Sequence, residues 1–352
     1  MSTDVALVSD TANRLFADAV APEVANAVEA GTHPAALWRL VEEAGFTAAL
    51  EPDSGVSLAE AVAVLRAAGG HAAPIPLAEA MLARRVLAEA GVAPPSGPLT
   101  IGIPNADDEM TLRGEGDRHV LEGTLARVPF ARDCVAIVTL AHAAQGMVLV
   151  CAPMSEAIVD KGRNLAGEPR DDVGFERAVV PRDAVAAAPA GLDADWLLHL
   201  AALLRCAQIV GALERALEMS VDYANERKQF GRPIGKFQAV QHQLAALGGE
   251  LAVSAAALDM AAQAVATGAE RADLAVAAAK ARASEAAGVA AQIAHRVHGA
   301  IGFTQEYGLQ LLTRRLLSWR DEYGSEAHWN TQLGGAVLAP NAGPLWPRLS
   351  SL

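Results

Sequence analysis

Between Tyr223 and Gln241 the chain reads YANERKQFGRPIGKFQAVQ, and this stretch holds the residue types best suited to gripping an anionic nucleotide. A helical pattern ends near Lys228, because Pro233 lacks an amide donor and Gly231 and Gly235 admit backbone conformations that other residues resist. Arg227 and Lys228 therefore precede an aromatic, Phe230, on a sharp turn. A planar guanidinium suits a pyrophosphate, and an aromatic ring can flank a nucleotide base. A second glycine-rich break, VHGAIGFTQEYG from Val297 to Gly308, also follows a helical pattern and lets a ligand approach the backbone closely. The two loops can converge on one dinucleotide. GRPIGKF lacks the spacing of a phosphate-binding P-loop and follows a helix instead of a strand. No C-x-x-C, H-x-x-x-H or G-x-S-x-G pattern points to a metal or a hydrolytic nucleophile.

The elements that must position these loops are mainly helical. From Thr11 to about Gly91, segments such as AALWRLVEEAGF and LAEAVAVLRAAGG space apolar residues as helices do and close on glycine. Pro94, Pro95, Gly97 and Pro98 then break the pattern. Between Leu99 and Pro189 short β-branched runs, LTIGI, HVLEG, CVAIVTL and GMVLVCA, alternate with turn residues. Long helical stretches return at about Trp196–Arg227, Phe237–Thr267, Ala272–His298 and Leu309–Arg320, the pattern of an antiparallel bundle. The expected division is a helical domain over 1–96, a small β domain over 97–190, a four-helix bundle over 191–340 and a tail over 341–352.

Composition narrows the class. The 352 residues carry 28 basic against 41 acidic side chains, a net charge of -13 that repels nucleic acid and anionic membranes. Three scattered cysteines, Cys134, Cys151 and Cys206, fit reduced thiols in a cytoplasmic protein. The acidic MSTDVALVSD start is unlike a secretory signal, and no long charge-free apolar run predicts membrane insertion.

On these residues the sequence resembles the acyl-CoA dehydrogenase family. RKQFG, Arg227 to Gly231, matches its R-K-x-F-G segment, and HGAIGF, His298 to Phe303, matches its H-G-G-x-G-(F/Y) segment. The domain order agrees, and LWRLVEEAGF and GGHAAPIPLAEAML look like family segments of the first domain. The resemblance implies FAD as cofactor and an acyl-CoA thioester as substrate, desaturated between its α and β carbons as in β-oxidation. It also implies that Arg227, Phe230 and Gln238 reach across a subunit interface to the pyrophosphate and adenosine end of a neighbour's FAD. The resemblance likewise implies that Arg296, His298 and Gly299 line the same cofactor end, although the family usually has glutamine at Arg296 and glycine at Ala300. His298 reads equally well as a core or capping histidine.

Two features of the family are missing. Desaturation needs a carboxylate base over the substrate α-carbon. The usual Y-E-G-T glutamate aligns with Tyr323, and the alternative position on the first bundle helix, 26 residues before Arg227, is Ala201. Glu322, one position early, is the remaining candidate. In the β domain the flavin-ring segments are eroded, and Pro129 and Phe130 stand where a hydroxyl and an amide are expected. The chain thus looks like the shorter, degenerate partner of heteromeric bacterial members, including those acting on steroid side-chain thioesters, in which a full-length chain supplies the base. The alternatives are a self-sufficient homo-oligomer using Glu322 or another chemistry, and a non-catalytic scaffold.

Overall fold

The computed structural model describes residues 3–105, 108–116 and 118–339. The expected tail over 341–352 lies outside the described residues. Along the chain the helices are α1 (Thr3–Ala19), α2 (Pro22–Glu29), α3 (Ala35–Glu43), α4 (Leu58–Gly70), α5 (Leu77–Glu89), α6 (Ala194–Glu226), α7 (Gln238–Ala266), α8 (Ala272–His298), α9 (Leu309–Trp319) and α10 (Glu326–Leu338). The strands are β1 (Leu99–Gly102), β2 (Thr111–Glu115), β3 (Arg118–Pro129), β4 (Ala136–Ala143), β5 (Gly146–Pro153), β6 (Ile158–Asp160), β7 (Arg170–Val180) and β8 (Val185–Ala187), followed by a two-strand hairpin, β9 (Lys228–Gln229) and β10 (Arg232–Pro233). The order of helices, strands and helices is the one anticipated from the sequence.

These elements form two compact units: Met1–Ala25 with Leu58–Ala73 and Ala202–Leu352, and Asn26–Ser57 with Pro74–Ala201. The early helices are shared out, α1 and α4 joining the bundle and α3 and α5 joining the sheet. Within the bundle unit, α4 crosses α6 backbone to backbone. A Cβ on Gly211 would lie 1.8 Å from the Arg66 carbonyl oxygen, and one on Gly69 would lie 2.1 Å from that of Gln208. Only glycine permits this approach.

Alanine makes α8 a helix and a packing surface at once. Val276, Ala283, Ala287 and Ala294 are buried along one stripe of it. By length and composition α6 and α7 are apolar enough to cross a membrane, yet 83% of that stretch of α6 is buried against 22% for α7. The outward residues of α7 from Ala245 to Ala256 are Ala245, Ala246, Gly249, Ala252, Val253 and Ala256, with no charge among them. Helix α10 was not anticipated; Ser325 caps it by accepting the His328 amide at 3.3 Å.

In the other unit the strands run in the order β6-β7-β3-β2-β4-β5-β8, with β1 pairing parallel to β4. Alternation places Leu121, Leu125, Ile137, Val150, Val173 and Phe175 in one buried cluster. Two register shifts in β3 against β7, after Leu121 and after Leu125, bend the long strand.

Candidate functional site

The break after α6 is a tight hairpin. Gln229 pairs with Arg232 and Lys228 with Pro233, leaving Phe230 and Gly231 as the two loop residues. Their φ values, 50° and 78°, are both positive, as a type I′ turn requires. Glycine adopts this freely; phenylalanine does so at a cost of about 1–2 kcal/mol. The strained residue is also the most exposed large apolar side chain described, at 92%. Its ring meets Phe237 edge-on at 6.2 Å, and the Arg232 guanidinium lies 4.2 Å above the Phe237 ring. Arg227 begins the hairpin, its amide bonded to the Tyr223 carbonyl and its carbonyl to the Ile234 amide, both at 2.8 Å. Arg227 is exposed, and no carboxylate among the described residues pairs with its guanidinium. Gln238 opens α7 and is exposed beside it.

The second loop meets the first at its base. His298, the last residue of α8, stacks on Tyr223 with ring centroids 4.7 Å apart and planes 23° from parallel. Its Nδ1 lies 2.8 Å from the Ala294 carbonyl oxygen and its Nε2 3.2 Å from the Tyr307 hydroxyl. Burial pushes its pKa down, against hydrogen bonds that the ring donates to the Ala294 and Met219 backbone. At 3% exposed, His298 has its side chain in the core, the second of its two sequence readings. Arg296 and Gly299 stay accessible. Gly299 takes φ 64° and ψ -141°, a conformation reserved for glycine, with open space where a Cβ would project. The described residues thus offer a guanidinium unpaired among them, an exposed aromatic and an open glycine, a set that fits the phosphate and adenine end of a dinucleotide.

The loop expected to carry a catalytic base is fastened from several sides. Glu322 pairs with Arg205 at 3.1 Å, the two side chains only 9% and 3% exposed. Arg205 in turn lies 5.3 Å above the rings of both Trp319 and Tyr323 and donates to Gln208. Glu322 is therefore an ion-pair partner of Arg205 in this structure. Tyr323 sits at φ 54° with its carbonyl bonded to Trp329 Nε1 at 3.1 Å. Ala201 is buried on α6.

Beneath this loop lies Lys280, fully buried. Its ammonium donates to the Arg320 and Gly324 carbonyls at 2.9 Å and to Ser284 Oγ at 3.0 Å, tying the end of α9 to the loop before α10. Burial lowers its pKa from 10.5 to about 8; Cys206, Glu322 and Asp321 raise it and Arg205 lowers it further. The folded chain thus releases this proton near pH 8 and the unfolded chain near 10.5, so between them the unfolded state holds more protons and stability rises with pH. The gap corresponds to roughly 3 kcal/mol. Denaturant titrations at several pH values should show wild type gaining on Lys280→Met by that order between pH 8 and 10.5; a pH-independent difference would refute a protonated buried Lys280.

The segment aligned with a flavin-ring contact is filled from within. Phe130, 3% exposed and at φ 52°, packs with Val28 and Cys134, and the Arg170 guanidinium lies 5.5 Å above its ring. Its amide donates to the Pro169 carbonyl. Pro129 has no amide hydrogen to offer, so neither residue presents a donor. The three thiols are free and buried.

Sequence reading missed Tyr223, Tyr307, Lys280 and Arg205. The one legible signal was Lys280 itself, which lies four residues after Val276 and three before Ala283 on the apolar stripe of α8, a position where a lone cation requires buried acceptors.

The model of the acyl-CoA dehydrogenase C-terminal domain matches residues 193–329. The chain is 31% identical over 323 residues to acyl-CoA dehydrogenase IpdE2 of Mycolicibacterium smegmatis, covering 90% of this chain and 93% of that protein. Its fold superposes on a chain of the ChsE4-ChsE5 complex from Mycobacterium tuberculosis with a TM-score of 0.86 at 24% identity, over 96% of this chain and 98% of the other. The Tcur3481-Tcur3483 steroid ACAD gives 0.84 at 25% identity, over 95% and 97%. This chain belongs to the acyl-CoA dehydrogenase family, FAD-dependent oxidoreductases acting on the CH–CH bond of acyl-CoA thioesters.

Proposed function

We propose that this chain is the non-catalytic-base subunit of a heteromeric, cytoplasmic acyl-CoA dehydrogenase acting in lipid or steroid breakdown. It holds the pyrophosphate and adenosine end of an FAD whose ring rests on a full-length partner chain. The carrying observation is the strained hairpin that projects Phe230 into solvent beside an Arg227 unpaired among the described residues. Strain of this kind persists where surrounding structure holds it for a use. Arg227, Gln238 and Arg296 would bind the phosphates and ribose, Phe230 would cover the adenine, and Gly299 would give the backbone room to approach. When bound, FAD supplies the hydride acceptor; the base would come from the partner, because Glu322 is committed to Arg205. The exposed residues of α7 between Ala245 and Ala256, none of them charged, support assembly with another chain. Two of the similar structures are paired: the ChsE4-ChsE5 complex and the Tcur3481-Tcur3483 steroid ACAD. A self-sufficient flavoprotein would need a base and a ring seat that Glu322 and Phe130 do not offer.

Co-expression with a full-length acyl-CoA dehydrogenase chain of the same organism should yield a yellow complex that desaturates an acyl-CoA, while the chain alone should be colourless. A colourless complex would sink the proposal. Phe230→Gly sharpens the test, because it relieves the turn. Its melting temperature should hold or rise, yet FAD should bind the complex about ten- to a hundredfold more weakly, the loss of one stacked base. Unchanged flavin content in that variant would remove Phe230 from the site.

A further inference from the structure

We infer that His298 is a positioning residue: with Tyr223 and Tyr307 it forms a ring latch that holds the Arg227–Pro233 hairpin and the Gly299–Gly308 loop in one fixed relation. Its consequence for FAD rests on the function proposed above; its geometry does not. The three rings come from three places in the sequence, Tyr223 one turn before Arg227 on α6, His298 at the end of α8, and Tyr307 just before α9. Tyr223 and Tyr307 complete the cluster at 6.1 Å, edge to face, and Tyr307 lies 5.1 Å from His298. The bond between Nδ1 and the Ala294 carbonyl fixes the imidazole on its own helix, so the ring is a rigid post. Tyr223 leans on its face, and its carbonyl holds the Arg227 amide. The Arg227 carbonyl in turn holds the Ile234 amide across the hairpin. A shift of Tyr223 is therefore passed to both strands of the hairpin through two backbone bonds. Loops ordered in this way lose less freedom when a ligand arrives, which is how preorganisation raises affinity. A histidine that only filled the core would leave hairpin order independent of it.

Hydrogen exchange at the Ile234 amide in the free chain tests the latch. In His298→Phe and Tyr223→Leu that amide should exchange about tenfold faster, with central α6 amides unchanged, because only local opening is promoted. Tyr307→Phe removes a single hydroxyl and cannot unfold the bundle; a smaller acceleration of the same amide is expected. Wild-type exchange at Ile234 in these folded variants overturns the latch. In the flavin-bearing complex, His298→Phe should weaken FAD binding about tenfold, and the loss should largely vanish in an Arg227→Ala background, since coupled residues are not additive. Additive losses would mean that His298 does not act through the hairpin and would overturn its positioning role. Faster Ile234 exchange with unaltered FAD affinity would support the latch while removing the cofactor reading, so the two failures are distinguishable.

Discussion

Gly211→Ala should lower the unfolding free energy by about 3 kcal/mol or more, and Gly211→Val should leave little folded protein. The added Cβ would meet the Arg66 carbonyl oxygen at 1.8 Å and its carbon at 2.7 Å, whereas ordinary contact begins at 3.4 Å. Both obstacles are backbone, so no rotamer change relieves them. Helix α4 would have to retreat from α6, and the Arg66–Glu214 pair at 2.6 Å would open with it. Replacing a helical glycine ordinarily gains about 0.5–1 kcal/mol, so a net loss isolates the cost of the crossing. Urea unfolding of Gly211→Ala decides the matter: a change within 1 kcal/mol of zero would contradict the backbone approach of α4 to α6.

Much of this architecture was readable because each element announces itself locally. CVAIVTL and GMVLVCA announce strands as continuous β-branched-rich runs bounded by turn residues, and they pair in register as β4 and β5, Ile137 opposite Ala152 and Val138 opposite Cys151. The helix ending at Glu226 was legible from Pro233 and its flanking glycines. What escaped was pairing at a distance. No local pattern says that α1 and α4 belong with the bundle and α5 with the sheet, since an apolar face does not name its partner. Helix α10 escaped because Trp329 is its one buried residue among those described, and α8, against which it packs, lies far away in the sequence.

The site divides along the same line. Arg227 and Phe230 were legible because a hairpin of two loop residues is coded within ten positions of sequence. The structure adds that the phenyl ring projects and that the arginine has no carboxylate partner among the described residues. His298 was ambiguous in sequence because its motif is shared by a cofactor loop and a helix end. Its ring partners, Tyr223 and Tyr307, settle its side chain in the core. Glu322 was legible in sequence only as a possible base, because its ion-pair partner Arg205 lies more than a hundred residues earlier.

Glu322→Gln is therefore expected to behave as a stability variant and not as a catalytic one. Glutamine keeps the shape and one acceptor but removes the charge that compensates Arg205, and a buried ion left without its counter-charge costs about 3–5 kcal/mol. Some of that is recovered by the remaining hydrogen bond, so about 2–4 kcal/mol is the expected loss in denaturant unfolding. Arg205→Met combined with Glu322→Leu removes both charges and should restore much of it, as apolar replacement of a buried pair often does. Lys280 reports on the same network. Glu322 is one of the charges holding its pKa up, so Glu322→Gln should push that proton off below pH 8 and move the alkaline rise in stability to lower pH. A base gives the opposite pattern: Glu322→Gln would keep its stability while the complex lost about four orders of magnitude in kcat, the upper range for a general base. Near-wild-type kcat with reduced stability and a shifted Lys280 titration would place Glu322 in the fold of the loop; an inactive, fully stable variant would return it to the chemistry.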